Sequence, residues 1–325
     1  MKNEKYSLIS VVMLNYNGLK YLKKTIHPIL KLDYSNYEFI IVDNGSTDGS
    51  IKYIKKFKKI RLIENGENLG YSQGKNIGVK NAKGEYVLLL DNDIKIIHPQ
   101  TLNKLINIYT DQVGFLQIPF LDVGKNKTSY YGLFPSLYGF NLHKKEINIK
   151  KIINLKEDLI KILSPTGGVM FFNKKIWVDV GGLDESQKFN IDDIDIGTRI
   201  YLKGYTNYLY TKDYLIHLGV TNTKNNQDYI NRFKLLFSGH FRSIVKTYGI
   251  INLLLRFPFI ISFYFIKAIR YSFKKRSIKI FRAFLTSIGL FIKNLPDTLK
   301  QRKIIQSKRV IKDDIFLKIK PPRFD

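Results

Sequence analysis

The stretch that decides the fold reads Glu85-Tyr86-Val87-Leu88-Leu89-Leu90-Asp91-Asn92-Asp93. Its apolar part, from Tyr86 to Leu90, is too short for a helix and rich in large side chains, so it predicts a buried strand. Two aspartates separated by one asparagine end this strand. In an open α/β sheet, ligands bind outside the carboxyl ends of the strands. Asp91 and Asp93 therefore stand where a ligand is expected.

The two aspartates allow two interpretations. Hard cations such as Mg²⁺ and Mn²⁺ prefer carboxylate oxygens and usually share their coordination shell with substrate phosphates. A bound cation would also relieve the repulsion between the neighbouring carboxylates. The alternative is a solvated turn in which an aspartate caps the next helix. The rest of the chain has to distinguish a metal-diphosphate site from a plain turn.

Composition limits the class of protein. The chain has 325 residues, of which 44% are hydrophobic, enough for one large domain or two smaller ones with a real core. It contains no cysteine, which excludes disulfides, thiolate metal sites and cysteine nucleophiles. The polar start, residues 1–6, leads directly into a strand-like run, so we expect no signal peptide.

The net charge of +27 is concentrated near the C-terminus. Residues 229–325 hold 22 Lys and Arg against 4 Asp, a local charge of +18. Such an excess favours an anionic partner, which can be a membrane surface or a nucleic acid. The remaining 228 residues carry only +9, so the excess lies mainly outside the first part of the chain.

The first part of the chain alternates strands with helices. Strand-like runs at 8–14, 37–42 and 60–63 precede the run that ends at Asp91, and helical periodicity separates them. This alternation predicts βαβ units and a largely parallel sheet of the nucleotide-binding type. The chain has neither G-x-G-x-x-G after its first strand nor G-x-x-x-x-G-K-[ST]. Sequence support for a dinucleotide fold or a P-loop kinase is therefore lacking.

Asp43 and the glycine pair Gly74 and Gly78 each have two possible explanations. Asp43, at the end of the second strand, can accept hydrogen bonds from a nucleobase or a ribose, or it can cap the helix that follows. Gly74 and Gly78 lie one turn apart on a predicted helix. They serve either close packing against the sheet or the approach of the backbone to a nucleotide. The aromatic segment 120–163 builds either a substrate-facing wall or hairpins that complete the fold.

A second acidic cluster follows near residue 192. If a helix begins at Asp192, then Asp192, Asp195 and Arg199 share one face. A structural interpretation makes Asp192 the N-cap and pairs Asp195 with Arg199. It leaves Asp193 without a role. A carboxylate at this helix N-terminus, close to a metal-diphosphate, could take a proton from an acceptor hydroxyl.

Taken together, the motifs resemble those of glycosyltransferase family 2, inverting enzymes with the GT-A fold. The resemblance covers about residues 6–222 and is strongest to the rhamnosyltransferase-like branch. The matching motifs, in the family's order, are Asn15-Tyr16-Asn17, VDNGSTDGS at 42–50, NLGYSQGKNIG at 68–78, LLLDND at 88–93, TGG at 166–168, GGLDE at 181–185 and DDIDIGTRIYLKGY at 192–205.

The resemblance implies a reaction and its partners. A sugar, rhamnose among the candidates, would move from a UDP- or dTDP-sugar to a hydroxyl of a glycan or lipid-linked acceptor. Mn²⁺ or Mg²⁺ would be the cofactor, and the pathway would be the synthesis of a cell-surface polysaccharide or glycoconjugate. Two other functions fit parts of the sequence. A metal-dependent nucleotidyltransferase would release pyrophosphate instead of a nucleoside diphosphate. A nucleic-acid-binding protein would explain the charge, but no recognition motif is present, so no specific nucleic acid is expected.

The resemblance also implies roles for individual residues. Asp93 would hold the cation on the diphosphate, and Asp91 would bind the ribose or belong to the metal shell. Asp193 would be the general base beside Asp192, where the family usually has Glu. His217 either approaches the metal or is structural. The residues implied to bind the nucleotide sugar are Asn15, Asp43, Asn68, Gly70, Asn76 and Asp91, and those implied on the acceptor side are Gly167, Gly168 and Asp184.

We expect two regions, a GT-A domain at 1–225 and a basic helical region at 226–325. The spacing of Tyr229, Phe233, Phe237, Phe241, Val245 and Tyr248 predicts an amphipathic helix that packs on the catalytic domain. The uncharged run 257–266 is too short to span a bilayer.

Two basic stripes follow in this second region, Lys267, Arg270 and Lys274, then Lys275, Lys279 and Arg282. Cations beside aromatic faces are typical of helices in an anionic lipid interface. We therefore expect a cytoplasmic protein that is attached peripherally to the cytoplasmic face of the membrane. The alternative is a helical subdomain folded on the core or used for oligomerisation.

Overall fold

The structure, a computed structural model, describes residues 7–136, 139–141, 146–186, 191–219, 226–274 and 276–322, with the backbone only for 136, 139–141 and 226–233. Of the positions used above, Lys275 and the side chains of Tyr229 and Phe233 lie outside this description. The expected boundary at residue 225 falls at the end of the stretch 220–225, which also lies outside it. The division into two domains therefore stays a prediction.

The first half of the chain alternates strands and helices as predicted. In order, its elements are β1 (Ile9–Asn15), α1 (Leu19–Leu30), β2 (Tyr37–Asp43), α2 (Ser50–Ile54), β3 (Ile60–Glu64), α3 (Tyr71–Asn81), β4 (Tyr86–Asp91), β5 (Ile94–Lys95), α4 (Thr101–Ile108) and β6 (Val113–Gln117). Each of the first four strands ends one residue later than predicted. Asn15, Asp43 and Asp91 are therefore the last residues of their strands.

Short strands dominate the next part. In order, the elements are β7 (Phe120–Asp122), β8 (Lys127–Thr128), β9 (Phe134–Ser136), β10 (Gly139–Asn141), β11 (Ile147–Asn148), α5 (Ile149–Ile153), β12 (Leu159–Ile162), β13 (Val169–Asn173), α6 (Lys174–Val180), α7 (Asp192–Leu202), β14 (Thr206–Tyr210) and β15 (Leu215–His217). Tyr131 and Phe134 of this part are buried in a core cluster with Ile152. The described residues of segment 120–163 thus mainly complete the fold.

The central sheet has eight strands in the order β12-β14-β6-β13-β4-β1-β2-β3. β13 runs antiparallel to β4 and β6, and β12 runs antiparallel to β14, whereas the other pairs are parallel. Consecutive residues such as Val11 and Val12, or Leu88 and Leu89, are fully buried. Helices cover both faces, which is why these strands read as continuous apolar runs. The predicted mostly parallel sheet is confirmed.

The sheet topology collects polar residues at one edge. β1 lies between β2 and β4, with Asn15 opposite Asp43 and Leu14 opposite Asp91. β13 runs the other way, so it begins at the edge where β4 ends, and the N–H of Asp91 donates to the carbonyl of Gly168 at 3.1 Å. The turn before β13 therefore faces the ends of the parallel strands.

A second sheet, in the order β5-β15-β7, lies next to this edge. Its register places His217 opposite both Ile94 and Asp122. Because Asp93 directly precedes β5, the small sheet brings Asp93, His217 and Asp122 together from three distant parts of the chain.

The C-terminal region is helical, as predicted. Its elements are α8 (Asn226–Thr247), α9 (Ile250–Lys274), α10 (Lys279–Lys293), α11 (Leu295–Ser307) and α12 (Asp314–Leu317). One hydrophobic cluster joins Ile194 and Tyr201 of α7 to side chains of these helices. Of the predicted inward positions of α8 and its end, Phe237, Phe241, Val245 and Tyr248 are buried in that cluster. The C-terminal helices thus pack on α7.

Helix α9 is longer than the sequence indicated. It has 25 residues and includes the uncharged run 257–266. Among the described helices it alone is long and apolar enough, by length and composition, to cross a membrane, and 11% of its most apolar window is buried. The helix that contains the run 257–266 is thus long enough to span a bilayer, and the expectation that this part of the chain is too short is wrong with respect to length.

Candidate active site

Asp43 and Asn15 tie the ends of adjacent strands together. Asp43 is fully buried, and its Oδ2 accepts a hydrogen bond from Nδ2 of Asn15 at 2.7 Å. Its Oδ1 accepts from the backbone N–H of Ser46 at 2.8 Å. The Oδ1 of Asn15 accepts from Nδ2 of Asn92 at 2.7 Å. Asp43 therefore holds the turn after β2, and helix α2 has Gly49 as its N-cap instead.

The loop that enters α3 lies beside this turn. The Oδ1 of Asn68 accepts from the N–H of Gly70 at 3.0 Å, and Nδ2 of Asn44 donates to the carbonyl of Gly70 at 2.9 Å. Gly70 has a φ of 90°, which favours glycine. A Cβ at Gly74 or Gly78 would lie 2.5 Å from a β1 side chain. Of the two explanations for Gly74 and Gly78, close packing on the sheet is therefore the one observed.

Lys75 is the main site residue that sequence reasoning missed. It is fully buried, and its Nζ lies 2.8 Å from Oδ1 of Asp91 and 2.7 Å from the carbonyl oxygen of Gly167. It also contacts the hydroxyl of Tyr71, which donates to the same carbonyl at 2.6 Å. The only signal in the sequence was a lysine four residues after Tyr71, on the face of α3 that packs against the sheet.

The cation of Lys75 sits among acidic groups. Burial raises the pKa of the Asp91 carboxyl, and Lys75 opposes that rise. Burial and the charges of Asp91 and Asp192 raise the pKa of Tyr71 well above its usual value, so its hydroxyl stays protonated and donates. Asp91 is thus engaged by Lys75 and is less free to bind a metal than the sequence suggested.

Asp93 pairs with His217. The Nε2 of His217 lies 3.2 Å from Oδ2 of Asp93, and its Nδ1 lies 2.8 Å from Oδ1 of Asp122. Burial lowers the pKa of His217, but the hydrogen bonds to Asp93 and Asp122 outweigh it and raise the pKa to about 9. A metal ion bound at Nε2 would therefore have to displace the proton on that nitrogen. A carboxylate on the far ring nitrogen fixes the orientation of a ligating histidine. Asp122, which the sequence did not single out, has that position.

The donor set around Asp93 suits a hard divalent cation. Carboxylate oxygens and imidazole both bind Mn²⁺, and carboxylates bind Mg²⁺. A Cβ at Gly219 would lie 2.1 Å from Oδ2 of Asp93 and 3.0 Å from Nε2 of His217, so only glycine leaves this space open. Within the described residues no group of three or more His, Asp or Glu side chains is placed to hold a metal ion by itself. Asp93 and His217 would thus supply two ligands, and diphosphate oxygens and water the others.

Helix α7 carries the second acidic pair. Its N-cap is Ile191, so the interpretation of Asp192 as N-cap is wrong, whereas the pairing of Asp195 with Arg199 is confirmed at 2.8 Å. The Oδ2 of Asp193 accepts from the N–H of Gly167 at 3.0 Å, and its Oδ1 accepts from the N–H of Ile194 at 2.8 Å. Two backbone donors thus orient the Asp193 carboxylate.

Asp192 has a different environment. It is 4% exposed, and its Oδ2 has no hydrogen-bond partner in the part of the chain that the structure describes. Burial and the charge of Asp193 raise its pKa to about 7, against the effect of Lys75. The two adjacent aspartates are therefore chemically distinct.

The turn at Thr166–Gly168 joins the two acidic clusters. The carbonyl of Gly167 accepts from Lys75 and Tyr71, and its N–H donates to Asp193. A Cβ at Gly168 would lie 3.5 Å from Oδ2 of Asp91. Gly167 and Gly168 thus stand between the carboxylates of β4 and the start of α7.

Asn76 and Asp184 make other contacts. Asn76 donates to the carbonyl of Leu183 and accepts from its N–H, both at 2.9 Å. The Oδ2 of Asp184 lies 2.7 Å from Nζ of Lys246 in α8. These observed contacts are with Leu183 and Lys246 rather than with the cluster around Gly167, and the roles that the resemblance implied for the two residues stay predictions.

Comparisons of sequence find the same family repeatedly. GlyG of Streptococcus pneumoniae serotype 4, a glycosyltransferase, is 42% identical over 90 residues, which are 26% of this chain and 30% of GlyG. TuaG of Bacillus subtilis, a putative teichuronic acid biosynthesis glycosyltransferase, is 35% identical over 27% of this chain and 36% of its own length. An uncharacterized glycosyltransferase of Rickettsia typhi is 26% identical over 76% of both chains. The aligned part thus spans about a third of GlyG and TuaG.

Solved structures share the fold. S. aureus TarS 1–349 superposes with a TM-score of 0.55 at 18% identity, covering 96% of this chain and 89% of TarS. The mannosyltransferase PcManGT of Pyrobaculum calidifontis gives 0.54 at 15% identity, over 96% and 83% of the two chains. These matches confirm the expected GT-A fold. The profile of the family described as Glycosyl transferase family 2 matches residues 10–177, which are more than half of the chain and include Asn15, Asp43, Asp91 and Asp93. The chain therefore belongs to glycosyl transferase family 2.

Proposed function

We propose that the protein transfers a sugar from a nucleotide-diphospho-sugar to a hydroxyl of a glycan or lipid-linked acceptor, with inversion at the anomeric carbon. One observation carries this proposal. On one side, the turn at Thr166–Gly168 contacts Lys75, which pairs with Asp91 at the end of β4. On the other side, it contacts Asp193 at the start of α7. A group that binds the donor and a group that can accept a proton thus lie on the two sides of one turn.

The donor side is the carboxyl edge of β1, β2 and β4. Asn15, Asp43, Asn68 and Gly70 line the part of this edge where the nucleoside would bind. S. aureus TarS has been solved with UDP, and GalNAc-T7 with UDP, GalNAc and Mn²⁺. These complexes support a UDP-sugar as the first donor to test, followed by dTDP-rhamnose, which the sequence resemblance favours.

A divalent cation, Mn²⁺ or Mg²⁺, held by Asp93 and His217 would neutralise the charge that develops on the leaving diphosphate. The protein's own residues do the rest. Asp122 orients the ring of His217, and Lys75 keeps Asp91 in place at the end of β4.

Asp193 is the proposed general base. A general base must be ionised, and the two backbone N–H groups that donate to Asp193 stabilise the ionised form of its carboxylate. Asp192 has a pKa of about 7, so near neutral pH a large fraction of it carries a proton and cannot accept another. Asp193 would deprotonate the acceptor hydroxyl, which attacks the anomeric carbon from the face opposite the diphosphate. No covalent intermediate with the enzyme forms.

The acceptor is proposed to be a cell-surface polysaccharide or glycoconjugate precursor. TuaG is named for teichuronic acid biosynthesis, which supports this class of pathway. The acceptor side is formed by Gly167, Gly168 and the start of α7. Asp184, which the sequence resemblance placed there, is engaged by Lys246 instead.

The test is turnover and binding across UDP-, GDP- and dTDP-sugars with and without Mn²⁺. We expect slow hydrolysis of one donor that requires the metal and releases a nucleoside diphosphate. Asp93→Ala should abolish it and weaken Mn²⁺ binding. Asp193→Asn should retain donor binding but lower kcat by at least about a hundredfold, as expected for the loss of a general base.

The matched control is Asp179→Asn, a change of the same type at an exposed carboxylate on α6. This variant should bind and hydrolyse the donor as the wild type does. Wild-type turnover in Asp193→Asn would refute its assignment as base. Release of pyrophosphate in place of a nucleoside diphosphate would point to a nucleotidyltransferase and refute the proposed reaction.

A further inference from the structure

We propose that α9 docks the protein on an anionic phospholipid bilayer, with the helix lying in the plane of the interface. Its outer face is apolar and is not covered by any part of the chain that the structure describes. Six large apolar side chains of this face are between 55% and 79% exposed: Ile251, Leu254, Leu255, Phe259, Ile266 and Phe273. At 100° per residue, they fall within about 140° of the helix circumference. Contiguous apolar surface of this kind marks an interaction site.

The opposite face of α9 holds it on the protein. Ile260, Tyr264 and Ala268 are buried, and the ring of Tyr264 lies 4.5 Å from that of Phe237 in α8. The ring centroid of Phe257 lies 5.8 Å from the ring centroid of Phe291 in α10. Along its length, one face of α9 therefore packs on the protein and the other faces solvent.

Both ends of α9 also form hydrogen bonds with other parts of the C-terminal helical region. Near its start, Nδ2 of Asn252 donates to a carboxylate oxygen of Asp313 at 3.0 Å. Near its end, Oγ of Ser272 accepts from the N–H of Phe281 in α10 at 3.1 Å. A helix that spans a bilayer places its ends on opposite sides of it. These contacts favour a helix that lies along one surface, although its length alone would allow it to span.

Cations line one flank of the apolar face. At 100° per residue, Arg256, Lys267, Arg270 and Lys274 fall within about 60° of one another, directly beside Phe259 and Ile266. Between Asp228 and Asp297 the chain has thirteen Lys and Arg and no acidic residue. An apolar face with a basic flank is the pattern of a helix that inserts its side chains below the headgroups and pairs its cations with lipid phosphates.

A surface groove of about 430 Å³ adds cations at the start of α9. Its lining includes Ile250, Arg302 and Lys303 of α11, and Arg309, which follows α11. The guanidinium of Arg302 is fixed by donation to the carbonyl of Tyr248 at 2.7 Å. The groove thus adds basic residues near the N-terminal end of α9.

Charge decides between a lipid surface and a second copy of the chain. Two copies that met through α9 would bring their basic flanks together, and like charges across an interface are costly. An anionic bilayer neutralises the same charges. The cytoplasmic leaflet supplies such lipids, and a lipid-linked acceptor would be met there.

The experiment is flotation of the full chain with vesicles of phosphatidylcholine alone and with about 30% phosphatidylglycerol. We expect binding to the anionic vesicles only, and weaker binding as salt rises. The double variant Leu255→Asp/Phe259→Asp should lower the partition coefficient at least about tenfold, because it places charge on the inserted face. Arg270→Glu/Lys274→Glu should lower it to a similar extent.

Two controls match these variants. Val178→Asp adds a charge at another exposed apolar residue, on α6. Lys23→Glu/Lys24→Glu makes the same change of net charge on exposed positions of α1. Both should bind vesicles nearly as well as wild type, and all variants should keep the wild-type melting temperature and donor hydrolysis.

Three results would overturn the proposal. One is equal binding of the α9 variants and their controls. Another is a stable dimer in sedimentation velocity that the Leu255→Asp/Phe259→Asp change disrupts, with no vesicle binding by wild type. The third is resistance of bound protein to extraction by alkaline carbonate, which would show a spanning helix. Because vesicle binding needs no turnover, failure of this proposal is distinct from failure of the proposed reaction.

Discussion

The Nζ atom of Lys75 lies 2.8 Å from Oδ1 of Asp91, and the lysine is fully buried. This ion pair links helix α3 to the end of β4, and the same ammonium group donates to the carbonyl of Gly167. The pair therefore sits where the donor-binding edge of the sheet meets the turn that orients Asp193.

Lys75→Met should impair both stability and donor binding. Removing the cation leaves the Asp91 carboxylate among other acids, and a third of that side chain is exposed, so the free energy of unfolding should fall by about 1–3 kcal/mol. Donor affinity should fall at least about tenfold. Chemical denaturation and calorimetric titration with the donor measure the two effects. Lys80→Met, at an exposed position near the end of the same helix, is the control. Wild-type affinity in Lys75→Met would rule out its role at the site.

Gly219→Ala tests the space beside Asp93. The added Cβ would lie 2.1 Å from Oδ2 of Asp93, so that carboxylate must move away from His217. We expect Mn²⁺ affinity and turnover to fall at least about tenfold, which is in the range for disturbed ligand orientation. Gly289→Ala in α10 meets nothing within 4 Å and should raise helix stability slightly. Mn²⁺ titration of both variants checks the contrast, and equal affinities would show that the space is not needed.

Asp192→Asn should change how stability depends on pH. Because the pKa of Asp192 is raised from 3.8 to about 7 in the folded protein, the folded state binds its proton more tightly than the unfolded state. The free energy of unfolding of wild type should therefore fall as pH rises through this range and stay low above it, by at most about 4 kcal/mol. Asparagine cannot ionise, so the variant lacks this fall. Urea denaturation from about pH 5 to about pH 8 measures it, and parallel profiles would contradict the prediction.

Lys246→Met should destabilise the fold strongly. Lys246 is fully buried, and its Nζ lies 2.7 Å from Asp184 and 2.6 Å from Asp195. Removing it leaves two buried carboxylates with less compensation, which costs about 3–5 kcal/mol. Lys293→Met, at an exposed position on α10, should cost less than about 0.5 kcal/mol.

The same network predicts a pH dependence. Burial raises the pKa of Asp184, but Lys246, Ser186 and Arg242 outweigh it and hold that pKa well below its usual value. Its contribution to stability is therefore present above the unfolded pKa of about 4 and is lost as pH falls further. The penalty of Lys246→Met should shrink in acid, as denaturation curves at neutral and acid pH would show. A penalty independent of pH would contradict this account.

Local sequence was sufficient for the fold of the first half. Apolar runs ending in Asn15, Asp43 and Asp91 predicted β1, β2 and β4 to within one residue at each end, because a strand buried on both faces needs a continuous apolar run. Such features depend on neighbours in the chain, so a pattern of residue types suffices to find them.

The tertiary structure alone decided which polar groups meet. Lys75 pairs with Asp91, and Asp122 with His217, only because α3 packs on the sheet and because β7 and β15 pair in a separate small sheet. The sequence likewise could not show that Lys246 of α8 covers Asp184. Long-range ion pairs form between residues that chain spacing does not relate. The sequence by itself thus determined the strands, their polar ends and the family, whereas packing decided the partner of each charge.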